Sequence, residues 1–548
     1  MNLIAQNLPS LRKIRSKEDL KAGSFSQKKL LQRETFSYQI ALQSKEDPRV
    51  HVRVESELER CIQVFLVKDV IMDFPAHPYS TDPDYLTKEP GLMPDLLLPI
   101  EEQNGIVKLS GGLAALWVKV DLPEELPAGT YPVTLIFEQD GTVLAESHMD
   151  LTVLFLRMPP QSVLFSQWMH VDCIASVHQV EIYSEEHWQY IDAYLEAAAE
   201  LGVTNMLTPI ITPPLDTNPG ITRPNVQLVM MEKDGEQYHF DYSRLKRWIT
   251  LCRSHGIARF EMAHLFSQWG LASTPNIYVT EHGKETHLFG WHVPANDPSY
   301  RNFLTQFLPD LTRFLRQEGI AEQCVFHISD EPYPEHLEAY QYAHNLVAPL
   351  LEGFKIMEAV SNPYFYDAGY MDIPVTATNH IEPFLEREVP DQWVYYCTSQ
   401  GEQVANRFLA MPSYRNRILG VQLYLFSITG FLQWGFNFYY SQFSLYPINP
   451  YVTTSSDRSF PSGDPFSVYP GKRKPYPSLR AVIFREALQD VDRLKRLEEK
   501  IGTSAVHDLI RQIAGQDITF SDYPRREDFL LKLMDAVTEK LEKLFETS

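Results

Sequence analysis

From residue 159 onward the chain repeats one pattern eight times: a short apolar run of strand character followed by a stretch with helical spacing. The strand segments read VLFSQWM, TNMLTP, ARFEMAHLF, CVFHISD, KIMEAV, IPVTATN, WVYYC and GFLQWGFN, and stretches such as EEHWQYIDAYLEAAAELG and PSYRNFLTQFLPDLTRFLRQEG lie between them. Strands that are apolar on both faces and alternate with amphipathic helices pair in parallel, because each helix carries the chain back to where the next strand begins. Eight such units predict a closed (β/α)8 TIM-like barrel. An open doubly wound sheet is the competing arrangement, but neither GxGxxG nor GxxxxGK[ST] occurs to give such a sheet its usual nucleotide site.

Upstream the period changes to two. The segments ETFSYQIALQS, HVRVES, IQVFLVKDV, GLAALWVKVDL and GTYPVTLIFEQDGTVLAESHMDLTVLFL read as antiparallel strands, with Asp140-Gly141 as a tight hairpin turn. They predict a two-sheet β-sandwich. Met158-Pro159-Pro160 ends it, since proline cannot continue a strand ladder. The expected division is a sandwich over residues 1–158, a barrel over 159–478 and a C-terminal helical segment over 479–548. In that last segment Leu530, Met534, Val537, Leu541 and Leu544 recur at helical spacing. They are expected to pack on the barrel, with a homo-oligomer interface as the competing use.

Charge narrows the partner. There are 49 Lys plus Arg against 71 Asp plus Glu, a formal balance of −22, which repels phosphate backbones and anionic lipid. Neither nucleic acid nor a membrane is expected as partner. Cys61, Cys173, Cys252, Cys324 and Cys397 lie far apart with no CxxC pair, and no stretch approaches the roughly 18 apolar residues of a membrane span. A soluble, cytoplasmic protein without disulfides is expected. No metal or other cofactor is expected either: there is no HExxH, Glu281 to His287 reads as a solvated loop, and no GxSxG elbow is present.

In a barrel, reactive groups sit at the C-terminal ends of the strands. The fourth segment runs Phe326-His327-Ile328-Ser329-Asp330-Glu331-Pro332, placing two carboxyls side by side at the mouth. Mutual repulsion and partial burial raise a pKa in such a pair, so one carboxyl keeps its proton near neutrality and can act as an acid. Capping of the following helix is the competing explanation. Other polar strand ends are Trp168 and His170, Thr208, Glu261 and His264, Glu358, Asn379 and His380, Tyr395 and Tyr396, and Trp434 with Asn437. Together they describe a cup of acids, imidazoles, amides and aromatic faces suited to a carbohydrate. Aromatic residues also crowd Gly420 to Tyr451, and of these Trp434 is placed to support the C–H face of a pyranose.

The segments around His327 to Pro332, Trp393 to Cys397 and Gly430 to Asn437, with Tyr469-Pro470-Gly471, Ser478-Leu479-Arg480 and Arg485-Glu486-Ala487, resemble the glycoside-hydrolase-like proteins of domain of unknown function 4091, relatives of glycoside hydrolase family 123. The resemblance implies a sandwich followed by a barrel, and a retaining β-N-acetylgalactosaminidase using substrate assistance. It implies Glu331 as general acid/base and Asp330 as the group that holds the 2-acetamido substituent for attack on the anomeric carbon. Tyr395 or Tyr396 would bond the acetamido oxygen, and Trp434 would support the ring. Gln433 departs from the family pattern, and Leu265 to Pro298 has no counterpart in it. Two other readings are a retaining glycosidase with Glu358 or Glu261 as nucleophile on a non-acetamido sugar, and a carbohydrate-binding relative without turnover.

Overall fold

The computed structural model describes residues 2–20 and 24–546. Its N-terminal part is two five-stranded sheets. One runs, in spatial order, Ile4–Pro9, Thr35–Gln43, Leu113–Asp121, Ile62–Met72 and Gly91–Pro99; the other runs Gln27–Gln32, Thr142–Arg157, Gly129–Gln139, Arg49–Glu55 and Ile106–Lys108. Residues two apart on facing strands, such as Ile40, Leu42, Leu116, Val118, Val133 and Leu135, fill the layer between them. Asp140 and Gly141 take positive φ and join paired strands, as their hairpin signature predicts.

The strand Gly91–Pro99 has no clean alternation and contains Pro94, so its sequence does not announce it. It survives because it lies at the sheet edge, where a missing N–H costs no ladder bond. Its register slips so that Leu96 pairs with Lys68 and Pro94 with Asp69, leaving Asp95 as the extra residue of a bulge. That bulge turns Asp95 into the joint with the barrel.

The barrel closes in chain order through Leu164–Gln167, Asn205–Thr208, Arg259–Met262, Cys324–Phe326, Lys355–Val360, Ile373–Ala377, Trp393–Tyr395 and Gly430–Gln433, the last pairing with the first. These are the eight expected strands. Side chains alternate between barrel interior and helix layer. Met357, Ala359, Val375, Ala377, Trp393 and Tyr395 fill the interior, while Ile356, Val360, Val394 and Phe431 meet the helices. Gly430 has no alternative: a Cβ there would lie 2.1 Å from the Trp393 ring.

Two excursions interrupt the barrel. The hairpins Met230–Asp234/Gln237–Asp241 and Ile277–Glu281/Lys284–Phe289 pair into one four-stranded sheet. The stretch Glu281 to His287 is therefore a hairpin rather than a loop, with His282 to Glu285 exposed to solvent. His282 and Gly283, both at positive φ, make its two-residue turn.

The C-terminal helices Leu479–Ile501, Thr503–Ala514 and Glu527–Glu546 pack within the same chain. The first meets the barrel helix Ser413–Leu425 so closely that a Cβ on Gly420 would lie 2.2 Å from the Ala487 carbonyl oxygen. The same helix reaches the sandwich: Glu486 accepts from Ser10 Oγ at 2.8 Å, and Gln489 exchanges hydrogen bonds with the Thr35 backbone. Nearby, Asp95 forms a buried two-pronged ion pair with Arg480, both contacts at 2.9 Å.

Candidate active site

The fourth strand ends at Phe326, and the loop beyond it carries Asp330 and Glu331 into a cavity of about 120 Å³ at the barrel mouth. Neighbouring residues on an extended strand face opposite ways. Here Glu331 adopts a left-handed backbone, φ +47°, a costly conformation for a residue with a long side chain, and both carboxyls line the same cavity. The loop is tied on two sides. Phe266 N–H donates to Ile328 O at 2.9 Å, Ser329 Oγ to Ser267 O at 2.9 Å and Trp269 N–H to Asp330 O at 3.3 Å. From the other side Glu358 accepts the N–H groups of Ile328 and Ser329 and the Tyr340 hydroxyl.

The remaining cavity lining includes Trp168, Leu215, Asp216, Gln268, Trp269, Tyr395, Cys397, Trp434 and Phe460. The Tyr395 hydroxyl donates to Glu331 Oε1. Burial raises both Asp330 and Glu331 above the ordinary carboxylate range. Repulsion from Glu331 and Asp216 adds to the effect on Asp330, and the Tyr395 hydrogen bond partly offsets it at Glu331. Each carboxyl therefore holds a proton more firmly than a free one does. Asp216 is pushed up to about 7, chiefly by burial, against the lowering effect of the Phe443 N–H that it accepts at 2.9 Å.

The expected site residues do not all meet. Asp330, Glu331, Tyr395, Trp434 and Trp168 share the cavity. Trp434 is fixed by donation from Nε1 to Asp464 Oδ2 at 3.0 Å, and Trp168 by donation from Nε1 to Glu261 Oε2 at 3.0 Å. Glu261, His264 and His327 lie beneath Trp168 as a buried group, with the two imidazoles stacked 4.4 Å apart. Glu358 and Tyr396 are out of phase with their strands' inward residues. Glu358 backs the carboxyl loop, and Tyr396 donates to Asn416 on the barrel helix 413–425 at 3.0 Å. Thr208 is buried and accepts from Trp248 Nε1 at 3.3 Å.

The Asn437 side-chain amide accepts the His170 N–H at 2.8 Å and donates to the His170 carbonyl at 3.0 Å, clamping the first strand end to the eighth. Burial and the Arg223 cation lower His170 to about 3, so its ring is neutral, Nδ1 facing Arg223 and Nε2 the Trp434 carbonyl. Asn379 and His380 are exposed on a turn after the sixth strand, where Asn379 accepts from Gln400 at 3.0 Å. Among the described residues no group of three or more His, Cys, Asp or Glu side chains is arranged to hold a metal ion.

Sequence reasoning missed Asp216, Gln268 and Trp269. All three lie on the excursions after the second and third strands, whose lengths signal function without saying which residues return to the mouth. Asp216 and Trp269 both adopt positive φ, at +41° and +52°.

The model of the glycoside hydrolase 123 catalytic domain matches residues 168–497, more than half of the chain, and includes the carboxyl pair. The chain belongs to glycoside hydrolase family 123. A family 123 glycoside hydrolase from Clostridium perfringens, studied for glycolipid glycan hydrolysis, aligns over 100% of both chains with a TM-score of 0.75 at 17% identity, a likeness of fold. A family 2 member from Bacteroides cellulosilyticus covers 74% of this chain and 44% of its own at a TM-score of 0.27 and 10% identity. A family 5 xyloglucanase from Bacteroides ovatus covers 89% and 100% at 0.31 and 7%. Neither of these two bears on the site. No curated protein matches the chain. As a family 123 member it is a glycoside hydrolase, which acts on a carbohydrate. Among the described residues no helix is long and apolar enough to cross a membrane.

Proposed function

We propose that the chain is an exo-acting, retaining β-N-acetylgalactosaminidase of the β-N-acetylhexosaminidase class, in which the substrate's 2-acetamido group is the nucleophile. The observation that carries this reading is the adjacent pair Asp330-Glu331 in one cavity, with Glu358 turned to the helix layer and Glu261 buried beneath Trp168. An ordinary retaining glycosidase sets a nucleophile and an acid about 5–5.5 Å apart across the bond, a division that neighbouring residues on one loop are poorly placed to make. Asp216 also lines the cavity, but it is carried by the first excursion rather than by a barrel strand end, and its Oδ2 is held by the Phe443 N–H. The cavity is well below the ~300–1,000 Å³ of sites for drug-sized ligands, which suits one terminal ring.

In the proposed sequence Asp330 accepts the acetamido N–H and orients its carbonyl oxygen toward C1. Glu331 gives its proton to the glycosidic oxygen as that bond breaks and the C1–O bond of an oxazolinium forms. Glu331, now ionised, takes a proton from the water that reopens the ring, restoring the carboxyl pair and retaining the configuration. Tyr395 holds Glu331, and Trp434 supports the ring. The unpaired thiols of all five cysteines are in keeping with a reducing, cytoplasmic setting.

The test is a panel of aryl β-glycosides differing only in the 2-substituent and the C4 epimer. The N-acetylgalactosaminide should be cleaved fastest, and a thiazoline mimic of the oxazolinium should inhibit. Glu331→Gln and Asp330→Asn should each remove nearly all turnover while leaving the melting temperature within a few degrees of the parent. Full activity in either variant would refute the assignment.

A further inference from the structure

At the mouth a backbone N–H of the first excursion meets a side chain of the second. Asp216 N–H donates to Gln268 Oε1 at 2.6 Å, which fixes the side-chain amide with its Nε2 turned away. Gln268 is 4% exposed, lines the cavity, and its Nε2 has no hydrogen-bond partner among the described residues. A buried amide donor left unpaired is costly, and an acceptor entering beside it would relieve that cost. Asp216 lies beside it on the same wall. Its position is fixed through Oδ2, which accepts Phe443 N–H, and through its carbonyl, which accepts Ser444 Oγ at 2.7 Å. A hydroxyl is the group that uses both neighbours, since its oxygen accepts from an amide while its proton goes to a carboxylate.

We propose that Gln268 and Asp216 form a hydroxyl-reading subsite, Gln268 donating to and Asp216 accepting from one ring hydroxyl of the sugar in the cavity. This rests on the chain's being a glycosidase and not on the acetamido mechanism. Both residues are specificity-determining groups outside the carboxyl pair, carried by segments the barrel does not need for closure.

The test uses the aryl glycoside that the full-length wild-type chain hydrolyses fastest, together with its analogues lacking one ring hydroxyl at a time. Gln268→Met keeps the side-chain length and removes the donor, together with the oxygen that accepts the Asp216 N–H, a loss common to every substrate. It should lower kcat/KM on the parent substrate roughly 10- to 100-fold. On the one analogue that lacks the hydroxyl being read the loss should be clearly smaller than on all the others. Asp216→Asn keeps the backbone N–H and an acceptor for Phe443, and should single out the same analogue; it carries the test if Gln268→Met does not fold. An equal loss on every analogue, or none on the parent, would overturn the subsite. Preference for a non-acetamido sugar would overturn the substrate-assisted reading and leave this test intact. Hydrolysis of nothing in the panel would overturn both.

Discussion

Two adjacent carboxyls compete for their protons, and Tyr395 acts on one of them. Its hydroxyl bonds Glu331 and favours the ionised form into which that carboxyl passes once its proton has gone to the glycosidic oxygen. The active form of the pair holds one proton, so activity should be bell-shaped with pH, falling on the acid side as the second proton binds and on the basic side as the last one leaves. Tyr395→Phe withdraws a stabiliser of the charged form and raises the pair's upper pKa. The basic limb should therefore move to higher pH, with kcat at the optimum lowered by roughly 10-fold. A pH–rate profile checks it, and an unmoved limb would remove Tyr395 from this role. The choice between Tyr395 and Tyr396 was open to period-two reasoning, because Trp393 and Tyr395 share the inward phase and Tyr396 takes the outward one. The same parity turns Glu358 away from the cup, whereas the left-handed turn at Glu331 breaks parity and left no trace in the local pattern.

At the scale of elements, all eight barrel strands were legible because each is a short apolar run followed by a helical period. The excursions were not, because their hairpins become a sheet only by pairing with each other, and pairing between distant segments writes no local signal. What brings the first excursion to the mouth is Arg223. It bonds both oxygens of Asp172, at 2.8 and 2.6 Å, on the helix Val171–His178, and it also reaches the Leu215 carbonyl at 3.3 Å, next to Asp216. Both partners of this ion pair are buried. Arg223→Met would strand the Asp172 charge and should cost about 3–5 kcal/mol in urea denaturation. It should also lower kcat/KM by loosening the wall that carries Asp216. A variant with parental stability and kinetics would show that the pair does not hold the excursion.

For the whole molecule the decisive contact is Asp95 with Arg480. The sandwich supplies the carboxylate from its bulge and the first C-terminal helix supplies the guanidinium, which also donates to the carbonyls of Gly463 and Phe466. Between those two lies Asp464, the anchor of Trp434. Arg480→Met should therefore cost about 3–5 kcal/mol, and Arg480→Lys should recover little of it because an ammonium cannot reproduce the two-pronged contact. Calorimetry should show one unfolding transition in the parent and two in the variant; a single transition in both would place the coupling elsewhere. The bulge in an edge strand thus reaches, through four residues, the aromatic face on which the sugar is proposed to rest. Anyone shortening this chain for engineering should not cut at the diproline, since the excised barrel would lose the counter-charge that braces its own substrate wall. The sandwich is better regarded as an outer buttress of the site than as a detachable appendage.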